Sequence, residues 1–409
     1  MSATLGLDHA RTLDNERYRV GGRTPRTALK PASLAEVREV LRACGRDKLC
    51  VVPWGGGARL ALAEPPERLD VVLDLSGLDR VIAYEPEDLT VTAECGVTLD
   101  ALRETLAARS QELPLESAHM ARATLGGTLA ANASGPRRLR FGAPRDRILG
   151  ARFALADGTL VRSGGQVVKN VAGFALHRLI CGSNGALAIL LEASLKLMPA
   201  PAARVALAYG ATREQLADPT RWAALPRLEP AYVSVLGPPV TTVPGGQPDP
   251  GAPYAVVVGL EDDVARVAQQ EHEIAVAWGA PAGRLEANAA LEMSQFLMYA
   301  EDMAPCRLTF TSSHNTPGTL APLLGESGRE RFVFHALAGR LHWFPEPDAA
   351  PEIARRIAGQ GFTLIGARGV DIEPPVPAQE SVQTLRRRIR QALDPGSILA
   401  LGERWTRGS

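Results

Sequence analysis

Pro53-Trp54-Gly55-Gly56-Gly57-Ala58 and, further along, Ala123-Thr124-Leu125-Gly126-Gly127-Thr128-Leu129-Ala130-Ala131-Asn132-Ala133-Ser134-Gly135 are the stretches that decide how this chain reads. Glycine carries no Cβ, so backbone N–H groups there can approach a phosphate closely. Two such blocks predict two walls closing on one large anionic ligand. The triplet alone is a weak signal, because glycine-rich turns are common. The second block says more. Gly126 and Gly127 open the backbone, Ala130, Ala131 and Ala133 form a face on which a flat ring can lie, and Asn132 and Ser134 offer hydrogen bonds. Tight helix packing through small residues is the competing reading of that block.

Outward from these blocks the pattern is α+β with short strands. Ser33 and Glu36 form a capping box for a helix over 31–44, with Leu34, Val37, Val40 and Leu41 on one face. A short apolar strand, Leu49 to Val52, runs straight into the triplet. Strands are predicted over 69–73, 80–84 and 90–94, and a helix from Val97 to about Arg109. After the second block, Ile148–Ala156 and Thr159–Arg162 read as a hairpin around Asp157-Gly158. Two strands, 186–191 and 193–197, lead to Met198-Pro199-Ala200-Pro201, a domain boundary. Beyond it, strands over 204–208, 232–236 and 254–260 alternate with helices over 263–278 and 286–297. That pattern predicts a small antiparallel sheet with helices on one face. Gly237 to Pro253 reads as a surface loop, and a last helix covers 380–393.

The bulk numbers narrow the function classes. The 409 residues carry 45 Lys+Arg and 45 Asp+Glu, so no charge excess argues for nucleic acid. The N-terminus has no apolar signal-peptide core, and the longest apolar stretch, Ala186 to Leu191, is too short to span a bilayer. A cytoplasmic protein is expected, held at a membrane only through a partner. Cys44, Cys50, Cys95, Cys181 and Cys306 form no Cys-x-x-Cys pair, which argues against a disulfide framework, a zinc site or an iron–sulfur site. If the protein moves electrons, the next acceptor lies outside the chain.

Two nucleotide readings fall away. A Rossmann fingerprint needs Gly-x-Gly-x-x-Gly between strand and helix, whereas Ala58-Arg59-Leu60 follows the triplet. A Walker loop needs Gly-Lys-Ser/Thr, which is absent. Four segments in order remain: Pro53–Leu60; Leu113–Gly135; Gly135-Pro136-Arg137-Arg138 through Gly142-Ala143-Pro144-Arg145-Asp146-Arg147-Ile148-Leu149-Gly150; and Gly165–Gly173 with Gly182–Gly185. Together they resemble the FAD-binding fold of the vanillyl-alcohol oxidase / p-cresol methylhydroxylase (PCMH) group, and within it the FAD-binding E subunits of bacterial glycolate oxidases. The resemblance covers residues 30–200 well and 202–375 loosely. It implies an α+β protein: a two-subdomain PCMH-type FAD-binding domain over 1–200, a smaller antiparallel α+β cap over 201–375, and a C-terminal helix and tail over 376–409 returning to the first domain. It implies that Pro53, Gly55, Gly56, Gly57 and Ala58 wrap the FAD pyrophosphate. Pro114, Thr124, Gly126, Gly127, Asn132 and Gly135 would line the flavin and ribityl region, with Gly182, Gly185 and Ile189 near the adenine or dinucleotide spine. Where some members carry a His that binds flavin covalently, this chain has Ala58 and Arg59, so non-covalent FAD is expected. His119, Lys169 and Arg138 are the candidates for a catalytic role.

The departures are informative too. Catalytic 2-hydroxy acid dehydrogenases of the group carry His-x-Gly-Asp-Gly-Asn-x-His and a later Glu-His-Gly. Here His335-Ala336-Leu337-Ala338-Gly339-Arg340-Leu341-His342 keeps the seven-residue spacing without the Asp and Asn, and Gly366-Ala367-Arg368-Gly369 lacks the Glu-His pair. Read as one strand, two His seven apart point to opposite faces, so no metal site is expected. The resemblance thus implies an FAD subunit of a glycolate oxidase/dehydrogenase complex, oxidising a short 2-hydroxy acid to its 2-oxo acid. Its partners would be a second FAD subunit with the complete metal motif and an iron–sulfur subunit that takes the electrons. A stand-alone FAD-linked D-2-hydroxy acid dehydrogenase and a non-catalytic flavin scaffold are the alternatives.

Overall fold

The computed structural model describes residues 11–12, 14–58, 60, 66–165, 173–238, 252–303, 306–312, 317–325, 329–370, 372 and 380–401. Lys169, Arg59, Gly402 and positions 239–251 of the Pro/Gly-rich stretch lie outside them. The chain divides into two units. The first takes residues 1–134, 143–200 and 377–409, the second residues 135–142 and 201–376.

The first unit opens with β1 (Arg11–Thr12), β2 (Thr27–Lys30), α1 (Leu34–Arg46), β3 (Val51–Trp54) and β4 (Val71–Asp74). Their sheet has the order β1-β2-β4-β3, with β2 and β3 parallel to β4. Helix α1 forms because Ser33 accepts a hydrogen bond from the Glu36 N–H while the Glu36 carboxylate turns back to the Ala32 N–H. Its face of Val37, Val40, Leu41 and Cys44 packs on Leu29, Val51, Val71 and Leu73. Each of these larger side chains contributes roughly 1.5–3 kcal/mol on burial. Near the C-terminus, the Val51 N–H donates to the Ile398 carbonyl and the Ala400 N–H to the Val51 carbonyl.

Next come β5 (Val81–Glu85), β6 (Thr90–Glu94), α2 (Leu99–Ala107), β7 (Gln111–Glu112) and α3 (Leu125–Ala131). The one-turn helix α4 (Arg138–Phe141) belongs to the second unit. Then follow α5 (Pro144–Arg147), β8 (Ile148–Ala154), β9 (Leu160–Gly164), α6 (Leu176–Ile180), β10 (Ile189–Lys196) and β11 (Met198–Pro199). Among the described residues β5-β6-β10-β8-β9 form an antiparallel sheet. The two strands expected over 186–197 are one strand, β10. The charge of Glu192 reads as an interruption, but it stands opposite Arg152 across the ladder, 3.1 Å away, beside a register shift that absorbs the irregularity.

The second unit continues with β12 (Ala203–Ala211), α7 (Arg213–Ala217), α8 (Pro219–Trp222), α9 (Leu225–Leu228), β13 (Tyr232–Leu236), β14 (Tyr254–Asp262) and α10 (Val264–Trp278). After these come β15 (Gly283–Glu286), α11 (Ala287–Met303), β16 (Arg307–Thr311), β17 (Phe332–Ala336), β18 (Arg340–Trp343), α12 (Ala350–Ala358) and β19 (Thr363–Arg368). The helix α13 (Glu380–Leu393) returns to the first unit.

The sheet of the second unit is larger than the sequence reading expected. Among the described residues it has eight antiparallel strands in the order β15-β12-β14-β13-β17-β18-β16-β19. Its apolar face carries Val235, Val256, Phe334, Leu341 and Phe310, covered by Val267 and Ile274 of α10 and Ala354 and Ile357 of α12. Helices also lie on both faces. Tyr232 points away from the apolar face, by alternation with Val233, and its hydroxyl donates to the Ala290 carbonyl of α11 at 3.4 Å. Helix α11 therefore covers the opposite face, where it packs mainly on β12 and β15.

Candidate functional site

The glycine-rich segments of the first unit converge. Strand β3 delivers the triplet and is anchored at its end. The Trp54 ring meets Tyr18 edge-on at 5.1 Å, and the Tyr18 hydroxyl donates to the buried Asp74 carboxylate at 2.6 Å. Burial and that hydrogen bond push the Tyr18 hydroxyl up to about 12. The glycines are there because the neighbouring chain leaves no room. A Cβ on Gly56 would run into the Arg122 carbonyl, one on Gly55 into the Thr124 hydroxyl, and one on Gly185 would lie 2.6 Å from the Pro53 ring. Gly185 is also at φ +78°, where a side chain is strained whatever the space.

The segments are stitched together by hydrogen bonds. The Gly182 N–H donates to the Leu129 carbonyl at 3.1 Å and the Asn184 N–H to the Ala130 carbonyl at 2.8 Å. The Cys181 thiol donates to the Leu129 carbonyl at 3.1 Å. Asn132 ends α3 in the left-handed conformation, and its side-chain oxygen accepts from the Arg145 N–H at 3.0 Å. Residues 53–57, 122–132 and 182–185 thus form one backbone-rich surface, with Gly55, Gly56, Gly57 and Ala58 half-buried. Within the last of these segments Ser183 is 1% exposed, and its buried hydroxyl has no hydrogen-bond partner among the described residues.

Not every candidate plays the part expected of it. The Gly126 N–H donates to the Cys95 carbonyl, and a Cβ on Gly126 would lie 2.7 Å from the Cys95 Cβ. The Gly127 N–H is taken by the Thr124 hydroxyl at 3.2 Å, the N-cap of α3. Both N–H groups are spent inside the fold, so close packing explains Gly126. Pro114 is buried nearby in sequence, whereas Ile189 begins β10 inside the apolar core, 1% exposed. His119 is half-buried in a turn, its N–H held by the Ser117 hydroxyl and its carbonyl by the Arg122 and Ala123 N–H groups. The five cysteines are buried and form no disulfide, and burial drives the Cys44 and Cys181 thiols up to about 12, out of the nucleophilic range.

Gly135 and Arg138 fall in the stretch that belongs to the second unit. Arg138 is exposed; the buried cation of the pair is its neighbour Arg137. Arg137 grips Glu261 of β14 with a fork, Nε to Oε1 and Nη2 to Oε2, both at 2.7 Å. Arg204 joins the same carboxylate at 3.3 Å, and the Arg137 guanidinium lies 4.7 Å over the Phe141 ring. Arg140 holds the Glu261 carbonyl and the Asp262 carboxylate. Burial pushes the Asp262 carboxyl up, but its hydrogen bonds from Arg140 and from the Asp263 N–H, with the charges of Arg140 and Arg266, together outweigh this and hold it below the usual range. Sequence reasoning missed the importance of Arg137, since nothing in the local pattern reveals Glu261 as its partner.

The His pair needs a correction. His335 and His342 do not lie on one strand with opposite faces. They lie on β17 and β18, joined by a turn in which Leu337 and Gly339 both have φ +64°. That reversal returns both rings to one face, 5.8 Å apart and edge to face. The Nδ1 of His335 pairs with the Ser234 hydroxyl at 2.9 Å and that of His342 with the Thr309 hydroxyl at 3.1 Å. The Leu-Ala-Gly-Arg run was the signal for the turn. Among the described residues no group of three or more His, Cys, Asp and Glu side chains is placed to hold a metal ion. No helix of the described residues is long and apolar enough to cross a membrane.

Comparison with known proteins agrees with this geometry. Residues 25–164 match the FAD binding domain family. The glycolate oxidase subunit GlcE of Escherichia coli (strain K12) is 35% identical over 192 residues, covering 46% of this chain and 53% of that protein. Subunit GlcD of Bacillus subtilis (strain 168) is 34% identical over 178 residues, 43% of this chain and 38% of that protein. The D-2-hydroxyglutarate dehydrogenase of Xanthomonas citri pv. viticola is 33% identical over 173 residues, 42% of this chain and 36% of that protein. The chain thus spans about half or less of the length of these relatives. Among solved structures, alkyldihydroxyacetonephosphate synthase superposes with a TM-score of 0.68 at 17% identity, covering 94% of this chain and 79% of that one, a likeness of fold.

Proposed function

We propose that this chain is an FAD-holding subunit of an enzyme that oxidises a short 2-hydroxy acid, with glycolate as the substrate and an iron–sulfur protein as the electron acceptor. The observation that carries the reading is the convergence of 53–57, 122–132 and 182–185 on one backbone-rich surface, with the buried Ser183 hydroxyl of the last segment left without a partner among the described residues. The surface fits the group in kind: half-buried glycine backbone without side chains suits a pyrophosphate, and a buried hydroxyl lacking a partner suits a polar ligand atom. FAD, when bound, supplies an acceptor for two electrons from a C–H bond and their onward delivery. The chain's own residues bind and orient it. Pro53 to Ala58 hold the phosphates, Thr124 to Asn132 support the ring region, and Gly182 to Gly185 close the far side. Ala58 offers no nucleophile, so the group is held without a covalent bond. Residues 1–200 with the C-terminal helix act as the flavin domain and 201–375 as the cap. The second flavin subunit carries the metal motif that this chain lacks.

The test has two steps. Acid precipitation of the purified chain is expected to leave the visible flavin band in the supernatant, in a ratio near one per chain. An anaerobic titration with glycolate is then expected to leave the band unmoved until the partner subunits are added. A band that bleaches with the chain alone replaces this reading with that of a stand-alone dehydrogenase, and a chain that binds no FAD overturns it.

A further inference from the structure

Trp54, the residue that leads into the glycine triplet, carries a side chain that the reading above leaves unused. It ends β3, and its half-buried indole folds back over its own turn. A Cβ on Gly57 would run into Cζ2 of that ring and lie 2.8 Å from Cε2, the carbon bonded to the indole nitrogen. The ring edge that carries Nε1 therefore lies directly against the Gly57 backbone, which turns there at φ +67°. The ring is fixed in place. Tyr18 meets it edge-on at 5.1 Å and is itself tied through its hydroxyl to the Asp74 carboxylate at 2.6 Å. Asp74 stands opposite Trp54 in the β3–β4 ladder and also accepts from the Ser76 N–H at 2.9 Å. Elsewhere in the chain, Trp222 and Trp278 donate their indole N–H groups to the Leu216 and Arg221 carbonyls, both at 3.0 Å. No hydrogen bond among the described residues is made by the Trp54 indole N–H, nor by the backbone N–H groups of Gly55, Gly56 and Gly57. Consecutive residues thus present side-chain and backbone donors together.

We propose that the Trp54 indole N–H donates directly to the diphosphate of the dinucleotide, beside the Gly55–Gly57 backbone, and that Tyr18 and Asp74 position it. The inference rests on the dinucleotide reading of the glycine surface and adds a side chain to it. An indole N–H is a donor only, which suits the acceptor-only oxygens of a phosphate. A hydroxyl or an amide in the same place can turn and present a lone pair, whereas an indole cannot. A hydrogen bond to a charged acceptor is roughly twice as strong as one between neutral groups, and partial burial strengthens it further. A ring already locked by Tyr18 loses little freedom when the ligand arrives. The competing role is a ring that merely covers the Gly57 backbone. That role needs only a flat apolar side chain, so removing the N–H while keeping a ring separates the two.

The test is calorimetric titration of the full chain, freed of flavin, with FAD and separately with ADP, which carries the diphosphate without the flavin ring. Trp54→Phe is expected to weaken both at least about tenfold, the low end for loss of a hydrogen bond to a charged group. The flavin-free variant is expected to unfold at the same temperature as the parent. Tyr18→Phe is expected to weaken FAD binding less. In the Trp54→Phe background it adds no further loss, because it acts through Trp54. Thermal unfolding identifies a Trp54→Phe chain that fails to fold, and Trp54→Leu then takes its place. Equal FAD binding by parent and Trp54→Phe overturns the proposal. FAD binding that weakens while ADP binding is unchanged overturns the diphosphate assignment, as does absence of ADP binding by the parent at millimolar concentration. Losses that add in the double variant overturn the role given to Tyr18. The proposed function is tested apart from this. Undiminished FAD binding by Trp54→Phe leaves that function standing while this inference falls. The expected ADP loss, in a chain whose flavin glycolate never reduces even with the partner subunits, does the opposite.

Discussion

The glycine surface of the first unit and the basic sheet face of the second are built in opposite ways. The first is made by removing side chains, so that Gly56 can touch the Arg122 carbonyl and Gly185 the Pro53 ring. The second is made by adding them, with strands β13, β16, β17, β18 and β19 each contributing to one patch. A surface of backbone is intolerant of any added atom, because backbone cannot move aside. A surface of long side chains tolerates loss of one member at a modest cost in stability, and its sensitivity lies in charge. The same protein therefore holds one region where shape decides and one where electrostatics decides.

The sharpest challenge to that contrast is Glu261, whose ion pair with Arg137 is sealed from water. Glu261→Ala leaves Arg137 buried without its fork and is expected to cost about 3–5 kcal/mol in denaturant unfolding. A loss below 1 kcal/mol would mean that residues 135–142 are held by apolar packing alone. Next in size, Gly56→Ala is expected to cost about 3 kcal/mol and to strip flavin from the purified chain. Full flavin content in that variant breaks the claim that backbone approach shapes the surface. Ser234→Ala removes the hydroxyl from a fully buried pair with His335 and is expected to cost about 1–2 kcal/mol without touching flavin content. Thr124→Ala, which removes the N-cap of α3, is expected to cost about 1 kcal/mol, with a flavin loss larger than its stability loss if α3 supports the ring.

The smallest effect at neutral pH comes from His177, which sits beside Ser163, 3.0 Å from its hydroxyl. Burial, and then the Arg178 charge, hold its pKa below that of an ordinary His. The folded state therefore takes up a proton less readily than the unfolded chain. The stability involved is present above the unfolded pKa of about 6.5 and is lost as the pH falls through that value toward the folded pKa. Unfolding free energy measured from pH 7.5 to 5 is expected to fall less steeply in His177→Gln than in the parent chain. Parallel curves would show that His177 titrates alike in both states.

Much of the first unit was legible before its structure. The Ser33 cap, the apolar run into Gly55 and the Asp157-Gly158 hairpin are local signals, each set by residues within a few positions of one another. The misreadings have a common origin. Glu192 was read as a break because its partner Arg152 is distant in sequence, and His335 and His342 were placed on opposite faces because the turn at Leu337–Gly339 was read as continuing strand. Gly126, read as an opening for a ligand, is accounted for by the Cys95 backbone.

The sequence by itself determined where side chains had to be absent, because a glycine run is visible without knowing its neighbours, and it determined local signals such as the Ser33 cap and the Asp157-Gly158 hairpin. Tertiary structure alone decided what each polar side chain faces: Glu261 for Arg137, Thr309 for His342, Arg368 for Arg307. The reason is physical. A missing side chain is visible at its own position in the sequence, while an electrostatic partner is chosen by tertiary packing, which brings together residues more than a hundred positions apart in the Arg137–Glu261 pair.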